Sequence, residues 1–143
     1  MKQLAAIYER KGTVFVTASH KTKAGFWVDD DIVDSLDLPT AEILGRAVKA
    51  ALARSQNDVP TPPPTARPDK PLLLAAGVKS WPTFMKLAKH VSVSFDESGY
   101  KITRYLNLGS KDGFEPQPDI ASLASSSTAV LGEALISLLA ETA

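Results

Sequence analysis

Apolar residues recur along this chain at two periods. Ile43, Leu44, Ala47, Val48, Ala51 and Leu52 follow one another at helical spacing and form one stripe. Val130, Leu131, Ala134, Leu135, Leu138 and Leu139 repeat that stripe near the C-terminus. The first helix is predicted to open near Asp37-Leu38, with Pro39 in its first turn, where a missing N–H costs nothing. Glu42 sits near its positive end, and Arg46, Lys49 and Arg54 lie toward its negative end. The second helix is predicted to start in Ser125-Ser126-Ser127, a run of candidate N-caps. Gly45 and Gly132 interrupt the helices at matching positions, each costing roughly 1 kcal/mol relative to alanine. Close packing of helix on sheet is the expected reason.

Elsewhere the period is two. Thr13-Val14-Phe15-Val16-Thr17 is rich in β-branched residues, and Gly25-Phe26-Trp27-Val28 follows a polar turn at Ser19 to Lys23. The run ending Ala6-Ile7-Tyr8 pairs back through Arg10-Lys11-Gly12. Val91-Ser92-Val93-Ser94-Phe95 alternates, and Asp96-Glu97-Ser98-Gly99 turns it into Tyr100 to Tyr105. The odd separation of Tyr100 and Tyr105 places them on opposite sheet faces.

These elements fall into two similar units. Lys23-Ala24-Gly25-Phe26 matches Lys111-Asp112-Gly113-Phe114, and Asp31-Ile32 matches Asp119-Ile120 at the same offset. Ile43-Leu44-Gly45-Arg46-Ala47-Val48 matches Val130-Leu131-Gly132-Glu133-Ala134-Leu135 after a one-residue deletion. Each unit reads β-β-β-α with short hairpins and antiparallel pairing. The fold expected is α+β: an antiparallel sheet from two pseudo-repeats, about 4–56 and 90–142, with helices packed on it. A Pro-rich connector, 59–71, joins them to a central helical motif, 72–89, within a single domain, 1–143. Pro60, Pro62, Pro63, Pro64 and Pro68 make the connector stiff and extended, and it reads as a linker before it reads as a PxxP ligand. In the motif, Leu72 to Gly77 is a short helix ended by glycine. Ser80 caps a second, with Pro82 in its first turn and Trp81, Phe84, Leu87 and Ala88 on its buried face.

Composition narrows the function. With 143 residues, 44% hydrophobic, the chain can bury one full core. It contains no cysteine, so disulfides, thiolate metal sites and a cysteine nucleophile are excluded together. Met1-Lys2-Gln3-Leu4 has no apolar signal core and no run is long enough to span a membrane, so the expected compartment is the cytoplasm. Sixteen bases and sixteen acids cancel, which argues against a protein built mainly to hold nucleic acid. The charge is nevertheless segregated. Residues 24–45 carry six acids and no base, residues 46–111 carry eleven bases and four acids, and residues 112–143 carry five acids and no base.

No HExxH, EF-hand, P-loop, GxGxxG or GxSxG pattern is present, and no catalytic constellation, metal site or cofactor is expected. His20 and His90, each beside a lysine, are expected to be solvated. Asp29, Asp30 and Asp31 alternate in direction along a strand, which does not suit one cation. They read either as a charged edge that discourages aggregation or as part of a partner-facing patch of Trp27, Asp29, Asp30, Asp31, Asp34 and Asp37. A different class of function, a small nucleic-acid-binding module, would use Lys79, Lys86, Lys89, Lys101 and Arg104 as a phosphate-binding face. That segment has neither an aromatic stacking platform at strand spacing nor a helix-turn-helix signature.

Leu73-Leu74-Ala75-Ala76-Gly77-Val78-Lys79-Ser80-Trp81, followed by Phe84-Met85-Lys86, resembles the central motif of a group of contact-dependent growth inhibition immunity proteins. The Lys-x-Gly-Phe and Leu-Gly-x-Ala-Val/Leu elements are similar to the rest of that pattern. The resemblance implies a cytoplasmic, non-enzymatic protein that binds the C-terminal toxin domain of a cognate effector. Such toxins are most often nucleases, frequently acting on RNA. Their clefts are commonly basic, so an acidic surface can dock there.

Overall fold

The computed structural model describes residues 2–63, 69–118, 120–123 and 127–141. In chain order the elements are β1 (Gln3–Arg10), β2 (Thr13–Lys21), β3 (Trp27–Asp37), α1 (Ala41–Arg54), α2 (Lys70–Ala76) and α3 (Trp81–Met85). They continue with β4 (Lys89–Asp96), β5 (Gly99–Asn107), β6 (Phe114–Pro116), β7 (Ala121–Leu123) and α4 (Thr128–Glu141). The seven strands form one open antiparallel sheet in the order β3, β2, β1, β4, β5, β6, with β7 also on β5. The α+β expectation holds, with helices packed on the sheet.

The sheet is symmetric in plan about its central pair, β1 and β4, which match Gln3 with Phe95 through Glu9 with Lys89. On one face lie α1 and α4. Ala5, Ile7, Val14, Val16, Val91, Val93 and Ile102 point there and meet Leu44, Val48, Leu52, Leu131, Leu135 and Leu139. Each large aliphatic side chain buried in this way contributes about 1.5–3 kcal/mol. Ile43 and Val130, which open the two predicted stripes, are instead exposed, at matching positions. On the other face α2 and α3 cover Ala6, Tyr8 and Phe15 with Leu72, Leu73 and Phe84.

Gly45 and Gly132 have a different reason from the one expected. A Cβ on Gly45 would overlap the backbone carbonyl of Thr128, and a Cβ on Gly132 that of Ala41. Each glycine admits the first turn of the other helix, so the close approach is helix on helix rather than helix on sheet.

Three boundaries also differ. Helix α1 starts at Ala41, with Thr40 Oγ1 accepting from Ile43 N at 3.3 Å, because Asp37 still belongs to the sheet opposite Thr13. Strand β3 is therefore much longer than the run Gly25–Val28 suggested. It bulges: Asp30, Asp31 and Ile32 stand against Ala18 alone, and Thr17 Oγ1 donates to Ile32 O at 2.7 Å. The corresponding strand of the second unit is broken there into β6 and β7. Finally, α3 ends at Met85, so Leu87 is exposed while Met85 is buried.

Other expectations stand. Ser127 Oγ accepts from Val130 N at 3.2 Å; Ser125 and Ser126 lie outside the described residues, as does Asp119. Gly77, at φ 71°, ends α2, and Ser80 Oγ caps α3. After α1 the chain passes the β2–β3 loop, where Val59 bridges Thr22 and Thr61 Oγ1 accepts from Ala24 N. It thereby reaches the opposite face, a task suited to stiff, extended backbone. Pro64 to Pro68 lie outside the described residues.

Candidate functional site

Where β3, α2 and α3 meet at the edge of the sheet, Tyr8, Trp27, Val28, Asp29, Asp69, Leu72 and Trp81 line a cleft of about 270 Å³. Strand register builds its floor. Tyr8 and Ser19 lie on the α2/α3 face, as does Asp29, which pairs directly with Ser19. Tyr8 Oη donates to Asp29 Oδ2 and Ser19 Oγ to Asp29 Oδ1, both at 2.9 Å. Burial raises the Asp29 carboxyl above the ordinary aspartate value, against the opposing hydrogen bonds from Ser19 and Tyr8. Burial and the adjoining carboxylate hold Tyr8 well above the usual phenol value. Trp81 supplies one wall by way of α3, where it stacks on Phe84 at 5.5 Å between ring centroids.

Beneath this cleft an aromatic row crosses the sheet. Phe15, Tyr8, His90 and Tyr105 are successive cross-strand partners on β2, β1, β4 and β5. Strand spacing of about 4.8 Å brings such neighbours into ring contact. Tyr8 stacks on His90 at 4.3 Å and His90 on Tyr105 at 4.2 Å. His90 is thus buried, not solvated; burial lowers its pKa to about 4, and Nδ1 lies 2.9 Å from Ile7 O. Phe84 and Phe114 lie over the row, which is core and no open stacking platform. His20 is not simply solvated either: Nδ1 accepts from Gln56 N at 3.0 Å, and Nε2 lies 3.5 Å from Asp30. Tyr100, by contrast, packs with Phe95 on the α1/α4 side, opposite Tyr105 as its odd spacing requires.

The six residues proposed from sequence divide between the two faces. Trp27 and Asp29 share the cleft. Asp31 borders a neighbouring groove with Val33, Lys70, Pro71 and Leu74, also on the α2/α3 side. Asp37 faces that side too, accepting from Thr13 Oγ1, but ten strand steps separate it from Trp27, roughly 30 Å of backbone. Asp30 turns to the α1/α4 side, 3.7 Å from Arg54 and 3.5 Å from His20. Asp34 lies opposite Val16 on that same side. Asp29, Asp30 and Asp31 do not converge, and among the described residues no group of three or more acidic or histidine side chains is arranged to hold a metal ion.

Tyr8, Leu72, Trp81 and Asp69 were not singled out for this cleft. The only sequence signal was that Trp81 closes the central motif. The five bases considered for phosphate binding do not form one face. Lys101 lies opposite Ser94 on the α2/α3 side, whereas Arg104 lies opposite Val91 on the other. Lys89 donates from Nζ to Leu139 O at the end of α4. Among the described residues no helix is long and apolar enough to cross a membrane.

No protein-family model matches this chain, and no curated protein matches it. Solved structures do. A protein of unknown function from Neisseria meningitidis is 18% identical with a TM-score of 0.80, the match covering 100% of this chain and 96% of that one. A chain of the CdiA-CT/CdiI toxin and immunity complex from Yersinia pseudotuberculosis is 15% identical with a TM-score of 0.77, over 100% of this chain and 98% of that one. At these identities the likeness is one of fold.

Proposed function

We propose that this protein is an immunity protein: a cytoplasmic, non-enzymatic binder that neutralises the C-terminal toxin domain of a cognate contact-dependent growth inhibition effector. The observation that carries this reading is the end-to-end likeness in fold to a chain of a toxin and immunity complex. The toxin, on this reading, is a nuclease, most simply a ribonuclease, and the immunity protein occludes its active site or substrate surface. The block from residue 24 to 45, six acids without a base, supports it, because five of those acids lie on the edge strand β3. Trp27, Asp29, Asp31 and Asp37 flank the edge on one side and Asp30 and Asp34 on the other. A basic partner that straddles the edge meets both sets, and complementary charge of this kind raises association rate and specificity more than affinity. We also propose that the chain arose by duplication of a β-β-β-α unit, a reading supported by the reciprocal glycine contacts and by the third strand of each half, bulged in the first and broken in the second.

The test is protection of cells that express the C-terminal domain of the effector encoded beside this gene. Wild-type protein should restore growth and bind that domain in vitro. An Asp31→Lys, Asp34→Lys, Asp37→Lys variant that still folds should associate about tenfold more slowly or worse at low salt. Full protection and an unchanged association rate would remove the edge from the mechanism. Absence of both protection and binding with the wild type would remove the immunity reading itself.

A further inference from the structure

The cleft at the end of β3 has the chemistry of a receptor for one positive side chain. Trp27 and Trp81 are both partly exposed, and they line one cleft together with Asp29 and Asp69. Asp29 accepts from two hydroxyls, Tyr8 Oη and Ser19 Oγ, neither of which carries charge. An ionised carboxylate has about four acceptor sites, so against the described residues roughly half of its capacity is still open. Arg54, the guanidinium near this edge strand, turns to Asp30 on the opposite face, 3.7 Å away. A volume of about 270 Å³ lies below the range of roughly 300–1,000 Å³ usual for small-molecule pockets, and suits one side chain better than a free metabolite.

We propose that this cleft receives an arginine side chain of the protein partner, its guanidinium against the tryptophan rings and hydrogen-bonded to Asp29. The inference rests on the immunity reading only for the identity of that partner. Guanidinium is planar, weakly hydrated and permanently charged, and it stacks on aromatic faces while donating in its own plane. Lysine's compact ammonium matches the cation but not the flat, aromatic-walled shape. Removing a desolvated carboxylate from such a pair weakens binding strongly, since the cation is then left unpaired.

The chain contains two tryptophans, and both line this cleft, so intrinsic fluorescence reports its occupancy directly. N-acetyl-arginine amide should give a saturable change in tryptophan emission, with N-acetyl-lysine amide weaker and the uncharged isostere N-acetyl-citrulline amide without effect. Asp29→Asn keeps the size of the side chain and an acceptor oxygen for one of the two hydroxyls, while its NH2 can donate to the oxygen of the other. With an unchanged unfolding midpoint, it should lose the arginine response and bind the effector's toxin domain about tenfold more weakly or worse. Trp27→Leu, judged by the remaining Trp81 signal, should also lose it. Equal responses to arginine and citrulline, or an Asn variant that responds as the wild type does, overturn the inference. If that happens while protection and toxin binding persist, the immunity reading survives without it. If arginine binds but the toxin domain does not, the cleft stands and the partner is wrong.

Discussion

His90 is held by its neighbours on three strands, and its charge state follows from them. Stacked between Tyr8 and Tyr105, with Nδ1 facing Ile7 O, it has a pKa near 4 rather than 6.5. Between those values the unfolded chain takes up a proton that the folded chain refuses. The stabilisation from neutral His90 is therefore complete above pH 6.5 and lost as pH falls toward 4, by about 3 kcal/mol. Asp29 works the opposite way, because a raised carboxyl value makes the fold gain stability as pH falls through it. Urea midpoints from pH 7.5 to 4.5 should fall for the wild type, and the fall should be much smaller in His90→Phe, which keeps a ring in the stack. An equal fall in that variant would place the proton elsewhere. None of this was legible beside Lys89, where a histidine reads as solvated. The ring's environment comes from residues 82 positions before it and 15 after, joined only by strand register.

Between elements, the crossing of α1 and α4 sets up a contest whose sign is informative. Gly45→Ala or Gly132→Ala should gain roughly 1 kcal/mol from helix propensity. The added methyl, however, meets a carbonyl of the partner helix, which cannot yield as a flexible side chain could. Overpacking of this kind costs about 1–3 kcal/mol, so net destabilisation is expected for each, read as a lower thermal midpoint. A raised midpoint would mean that the helices can part without cost. A second contact ties α3 to the sheet: Asn107 Nδ2 donates to Met85 O at 2.7 Å and Ala88 O at 2.8 Å. Asn107→Ala strands both carbonyls and should cost about 1–3 kcal/mol in chemical denaturation. The helices were legible because their stripes run for several turns. Strands β6 and β7 were not, since three residues carry no period. The length of β3 was hidden by Asp29-Asp30-Asp31, which are poor strand formers held in place by Tyr8, Ser19, His20 and Arg54. For the same reason Trp27 and Asp29 could be named from sequence but not joined to Trp81, which reaches them only after the chain crosses to the second face.

At the scale of the molecule, the two halves cannot be stable apart if the central seams carry the fold. Cutting between Ala66 and Arg67 leaves β1 and β4 as bare edges and exposes Leu44, Val48, Leu131 and Leu135, all buried when α1 and α4 meet. Unpaired edges and a naked helix face are aggregation-prone, and neither fragment retains a closed core. As monomers, fragments 1–66 and 67–143 should each lack a cooperative unfolding transition. Mixed, they should form a 1:1 complex with the circular dichroism of the intact chain. The proposed duplication adds a sharper expectation. Because β1 and β4 occupy equivalent places in an antiparallel pair, β1 can pair with a second copy of itself, and fragment 1–66 should form a symmetric dimer when its partner is withheld. That dimer should dissociate on adding fragment 67–143, since the complementary half also restores the fit of Gly45 against Thr128 and of Gly132 against Ala41. Sedimentation of the fragments singly and together decides it. A fragment that unfolds cooperatively as a monomer would show that its half is an independent domain.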